Sequence, residues 1–137
     1  MDHLSLQAMF SAHFAPWVLA LDLAVEPLAP EATEGITLRL PLSAQLSRSG
    51  GTLCGQAMMA AADTAMVLAL IRQFGAFRPC TTVQMSSSFL KPLSNQDALV
   101  QARVVRAGKT MAFGEIDIRG AVDGKSVCRS SVAYALL

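Results

Sequence analysis

The chain has 137 residues, the usual length of one domain built around one core. Eleven Lys and Arg against ten Asp and Glu leave a net charge of +1, so no strong field draws it to nucleic acid or to an anionic membrane. The three cysteines, Cys54, Cys80 and Cys128, have the spacing of neither a metal knuckle nor a dense disulfide framework. The start "MDHLSLQAMFSAHF" lacks a basic region followed by a long apolar run, and the chain is therefore expected in the cytoplasm.

Residues 4–14 read as a short helix, and residues 17–28 as a strand that stops at the turn signals Pro27 and Pro30. In "ITLRLPL", Ile36, Leu38, Leu40 and Leu42 share one face while Thr37, Arg39 and Pro41 share the other, the alternation of a half-buried strand. Residues 57–70 form the one long helix: Ala, Met and Leu favour that state, and apolar residues on every face mark a helix buried all round. A membrane span over residues 53–71 is the wrong reading, because Asp63 near the bilayer centre costs roughly 2.5 to 3.5 kcal/mol and the flanking segments alternate as soluble strands.

Past the helix, Thr82, Gln84, Ser86 and Ser88 alternate with Val83, Met85, Ser87 and Phe89, which predicts a strand with one uniformly hydrogen-bonding face. Residues 98–105 and 112–119 are two more strands with one wet side, joined around Gly108. Asp123-Gly124 suits a tight type I′ turn into a last strand. No repeat or flexible linker divides the chain, so residues 1–137 are one domain. The expected class is α+β, one long buried helix wrapped by an antiparallel sheet of five or six strands.

Burial makes Asp63 an energetic problem, since a carboxylate out of water needs donors or takes up a proton. Two readings stand side by side: a structural aspartate bonded to backbone amides of a neighbouring strand, or a reacting acid. Gly50, Gly51 and Gly55 precede the helix, whose first N–H groups and dipole suit a developing oxyanion. A phosphate-binding loop is excluded, because Gln56 and Ala57 stand where Lys and Ser or Thr are required. Cys54 makes a poor nucleophile, as the only histidines, His3 and His13, lie near the N-terminus. The same lack argues against a Ser-His-Asp hydrolase and leaves the chemistry to a carboxylate.

The segments "GGTLCGQAMMAAADTAM", "TTVQMSSSFLKPL", "ARVVRAGKTMAFGEIDI" and "GKSVCRSSVAYAL", in that order, resemble the hotdog-fold acyl-CoA thioesterases of the phenylacetate-degradation (PaaI-like) type over residues 36–135. The resemblance implies that the Gly55 N–H polarises a thioester carbonyl, that Asp63 is nucleophile or general base, and that Thr82 assists water. It implies no cofactor and no metal. The resemblance further implies that the two halves of the site come from opposite subunits of a homodimer, that a homotetramer is the expected further assembly with the choice of dimer or tetramer left open, and that the substrate is an acyl-CoA. Lys91, Arg106 and Lys109 fall where relatives meet the coenzyme A phosphates and pantetheine, and Arg48, Cys54, Gln56 and Ser88 are expected to line the substrate cleft.

Three positions depart from the family pattern. Cys54-Gly55-Gln56 replaces His-Gly-Gly, and Arg48 replaces an amide side chain fifteen residues before the acid. Arg48 either meets the acid or an acyl carboxylate, or is a solvated loop cation. Gln56, two helical turns before Asp63, either orients water or is a simple amide at the helix start. These departures keep a second expectation open, a non-catalytic acyl-CoA binding protein.

Overall fold

The computed structural model describes residues 1–30 and 35–137. Helix α1 (His3–His13) is capped by Asp2, which accepts the Ser5 N–H at 2.8 Å. A short helix α2 (Pro16–Leu19), strand β1 (Ala24–Val25) and strand β2 (Gly35–Leu40) follow. A small hairpin, β3 (Ser47–Arg48) and β4 (Thr52–Leu53), leads into the long helix α3 (Gly55–Phe74). Then come β5 (Cys80–Phe89), β6 (Ala98–Ala107), β7 (Met111–Gly120) and β8 (Ser126–Leu136). Six of the strands form one antiparallel sheet in the order β1-β2-β6-β7-β8-β5, so the fold is the expected hotdog arrangement of sheet and central helix.

Inward positions explain the packing. Strand β6 turns Ala98, Val100, Ala102 and Val104 to the core, and β7 turns Ala112, Gly114, Ile116 and Ile118. Gly114 lets the helix come close: a Cβ there would lie 2.1 Å from the Met66 sulfur. The helix ends at Gly75, whose φ of +75° and N–H bond to the Ile71 carbonyl close its last turn. By length and composition α3 is apolar enough to cross a membrane, and 61% of its apolar window is buried inside the domain. The Gln7 amide pins α1 to β1, donating to the Leu23 carbonyl and accepting from the Val25 N–H.

Four sequence expectations are corrected. Residues 17–28 are not one strand: Pro16 presets a helical turn, and Asp22, with φ of +57°, breaks the extended run before β1. The turn at Asp123-Gly124 is not type I′, because only Gly124 has positive φ. A four-residue loop is closed instead by Gly120 N–H to Lys125 O and by Lys125 N–H to the Asp123 carboxylate.

The central helix is not buried all round. It packs chiefly on β6, β2 and β7, and a stripe running through Gln56, Met59, Ala60, Asp63 and Val67 stays wholly or partly open, with Met59 37% exposed. Finally, the polar face of β5 is split by a bulge between Thr82 and Gln84. Thr82 turns toward α3, while Gln84, Ser86 and Ser88 turn to the outer face of the sheet; Ser87 faces in, sharing a 2.7 Å hydroxyl contact with Ser130.

Candidate active site

Asp63 sits midway along the open stripe of α3. Across from it, Thr82 on β5 and Tyr134 on β8 are directly paired and face the helix together. The Thr82 hydroxyl donates to Oδ1 of Asp63 at 2.9 Å, and the Tyr134 hydroxyl donates to the same oxygen and to the Asp63 backbone carbonyl at 3.1 Å. Hydroxyls, rather than backbone amides of a strand, therefore hold this carboxylate. Oδ2 takes no protein hydrogen bond among the described residues, and no buried side-chain oxygen there lacks a partner, so Oδ2 opens onto free space.

The electrostatics agree with that division. Tyr134 is fully buried, and its burial, followed by the charge of Asp63, pushes the phenol far above its ordinary range. It stays a neutral donor at any working pH. Burial, then the Asp63 charge, also pushes up the Cys80 thiol at the start of β5, which keeps that sulfur neutral beside the acid. Sequence reasoning passed over Tyr134. Its signal was present: it is the only tyrosine, at an inward position of an alternating strand, and a buried phenol needs a partner for its hydroxyl.

The other half of the site is the start of α3. Cys54 is the N-cap residue; its side chain makes no cap bond, and its N–H donates to the Leu46 carbonyl. Gly55 is the first helical residue, in the turn whose N–H groups have no intrahelical partners. A Cβ on Gly55 would meet the half-exposed Phe89 ring at 3.2 Å. Gly55 and Asp63 are eight residues apart, which at about 1.5 Å per residue is roughly 12 Å along one axis. Within one chain they do not reach a single carbonyl group.

The remaining expected residues are scattered. Gln56 lies on the Asp63 stripe, exposed, and with Cys54 it lines an apolar groove of about 320 Å³ shared with Trp17, Leu21, Gln45 and Leu46. Arg48 is exposed in the β3–β4 hairpin near the helix start and forms no ion pair among the described residues. Ser88 stands on the far face of the sheet, opposite Arg129, and is not brought to Asp63. Lys91 follows β5, Arg106 sits opposite Phe113 on the outer face of β6, and Lys109 occupies the β6–β7 hairpin. A further cation, Arg78, donates to the Lys109 carbonyl at 2.7 Å. A larger cavity of about 740 Å³ lies along the outer sheet face, where Arg103 pairs with Glu115 at 2.8 Å and Arg129 approaches Asp117 at 3.5 Å. Its charges are thus compensated, and Asp63 is not among its lining residues.

Comparison with known proteins gives this geometry a context. Residues 50–127, which contain both Gly55 and Asp63, match the thioesterase superfamily. The Thermoplasma acidophilum protein Ta0293, which is named an esterase, is 28% identical over 98 residues, 71% of each chain. A solved structure from Silicibacter sp. TM1040, named a thioesterase, superposes with a TM-score of 0.87 at 28% identity and covers 100% of this chain and 92% of that one. The PaaI protein from the phenylacetic acid degradation operon of Escherichia coli shares the fold, with a TM-score of 0.80 at 18% identity over 96% of this chain and 89% of that one.

Proposed function

The chain belongs to the thioesterase superfamily, and we propose on that footing that it hydrolyses acyl-CoA thioesters in the manner of the phenylacetate-degradation type. The observation that carries the proposal is the Asp63 carboxylate, tethered at Oδ1 by Thr82 and Tyr134 and open at Oδ2 on a stripe of α3 that the described residues leave wholly or partly open.

The separation of Gly55 from Asp63 supports a site made by two chains. If the α3 helices of a homodimer run antiparallel with their open stripes together, the Gly55 end of one meets Asp63 of the other. The edge strand β5, hydrogen-bonded among the described strands to β8 alone, offers its other side to the same contact.

In that cleft the thioester carbonyl accepts the Gly55 N–H, where the helix dipole also favours negative charge. Acting as base, Oδ2 takes a proton from water as the water oxygen bonds to the carbonyl carbon. The tetrahedral oxyanion rests on the amide, and its collapse breaks the C–S bond and releases coenzyme A thiolate, which takes up a proton. Acting as nucleophile, Oδ2 forms the C–O bond itself, the thiolate leaves and takes up a proton, and water then attacks the Asp63 carboxyl carbon of the mixed anhydride, so that the bridging oxygen departs with the acid product. Single turnover in ¹⁸O-labelled water separates the routes, because only the second leaves label in Asp63. Arg106, Lys109 and Arg78, none of them ion-paired with a carboxylate among the described residues, supply positive charge for the phosphates.

The test is release of free thiol from a panel of short, medium and aryl acyl-CoAs. Turnover of at least one member supports the enzyme. Cys54, Gln56 and Arg48, which replace the usual family residues, favour a second reading, an acyl-CoA binding protein. That reading is upheld by tight binding across the panel without thiol release.

A further inference from the structure

We propose that Tyr134 is a positioning residue of this site: its hydroxyl, together with that of Thr82, occupies Oδ1 of Asp63 and so assigns the chemistry to Oδ2. The inference rests on the reading of Asp63 as the hydrolytic group.

Tyr134 and Thr82 come from adjacent strands at paired positions, and both donate to one oxygen. Two donors converging from fixed backbones leave the carboxylate no free rotation and make its oxygens unequal. The bond from Tyr134 to the Asp63 backbone carbonyl also ties that turn of α3 to β8, so the acid is fixed along the helix axis as well. The ring is fully buried, so core packing sets the direction of its hydroxyl and water does not compete for it.

Among the described residues the surroundings add no other polar control. The titratable groups facing Asp63 are Tyr134 from β8 and Cys80 from β5. The other elements packed on α3 present Val104, Ala112 and Gly114 from β6 and β7, Leu38 from β2, and Leu6 and Phe10 from α1. No cation pairs with Asp63 among the described residues. Among the described residues the two hydroxyls are therefore the side-chain donors that hold Oδ1, and deleting one loosens the orientation of the carboxylate.

Tyr134 is the only tyrosine in the chain, so biosynthetic incorporation of 3-fluorotyrosine places one ¹⁹F probe at this contact. The expected result is a single resonance that moves in Asp63→Asn, where the phenol hydroxyl loses its charged acceptor. Tyr134→Phe should lower kcat roughly ten- to a hundredfold with KM nearly unchanged. Thr82→Val, which removes the second donor, should also lower kcat, and Thr82→Ser should recover part of that loss. A resonance unmoved by Asp63→Asn, or a folded Tyr134→Phe with unaltered kcat, overturns the inference while an inactive Asp63→Asn keeps Asp63 as the hydrolytic group. An active Asp63→Asn overturns that reading instead. If Tyr134→Phe does not fold, the fluorine resonance decides.

Discussion

Gly55 and Asp63 stand on the same helix about 12 Å apart along its axis, too far to act on one carbonyl group, and each has a functional atom without a hydrogen-bond partner among the described residues. Complementation between chains should follow. Gly55→Pro removes the N–H at the first helical position, which proline tolerates, at the cost of shifting the half-exposed Phe89 ring. Homodimers of Gly55→Pro and of Asp63→Asn should each be inactive. Equal mixing with subunit exchange should restore about a quarter of wild-type activity, one working site in each hybrid dimer. The check is activity against mixing time, beside sedimentation.

On the proposed mechanism Cys54→Ser should keep full activity, because that mechanism uses a carboxylate and no thiol, and the Cys80 and Cys128 thiols are held neutral by burial. Position 54 has N-cap backbone angles but no side-chain cap bond. A serine oxygen can accept from the second or third N–H of the helix and leave that of Gly55 free, adding about 1 kcal/mol of stability. Thermal unfolding and thiol release measure the two effects together.

Gly114→Ala should destabilise the domain by about 1 to 3 kcal/mol. The new methyl would lie 2.1 Å from the Met66 sulfur and 3.0 Å from the Arg103 carbonyl, and Met66 is fully buried with little room to swing away. Denaturant unfolding of this variant alone and combined with Met66→Ala gives the check, the second change recovering part of the loss.

The helix of residues 57–70 and the alternating strands were legible because local pattern decides them, as with Ala98, Val100, Ala102 and Val104. Asp63 stood out as the one charge in an apolar run. What could not be read was set by distant or irregular geometry. Tyr134 meets Asp63 across 71 residues of chain, and the bulge that separates Thr82 from Gln84 leaves no mark on a strictly alternating sequence. The open stripe on α3 escaped notice because Met59, Ala60 and Val67 are apolar and read as core. Residues 17–28 misled because their apolar run hides Pro16 before it and the left-handed backbone of Asp22 within it.

Asp97 offers a pH test of the fold away from the site. Its carboxylate accepts the Leu42 N–H at 2.7 Å and pairs with Arg39 at 3.1 Å, and the first of these, then the second, holds its pKa below the usual carboxylate range. A depressed folded-state pKa adds stability above the unfolded value, lost as pH falls through the folded one. Asp97→Asn should therefore be less stable than wild type at neutral pH, and the gap should close as pH falls from about 5 to 3. Urea midpoints across that range measure it.

The central claim is that Asp63 runs a thioester hydrolysis. Its most direct measurement is the rate of thiol release from the best acyl-CoA of the panel by wild type and by Asp63→Asn, with binding of the intact substrate followed in parallel. The expected result is a loss of roughly a thousandfold or more in kcat with substrate binding and the fold retained. Wild-type turnover by Asp63→Asn would contradict the assignment.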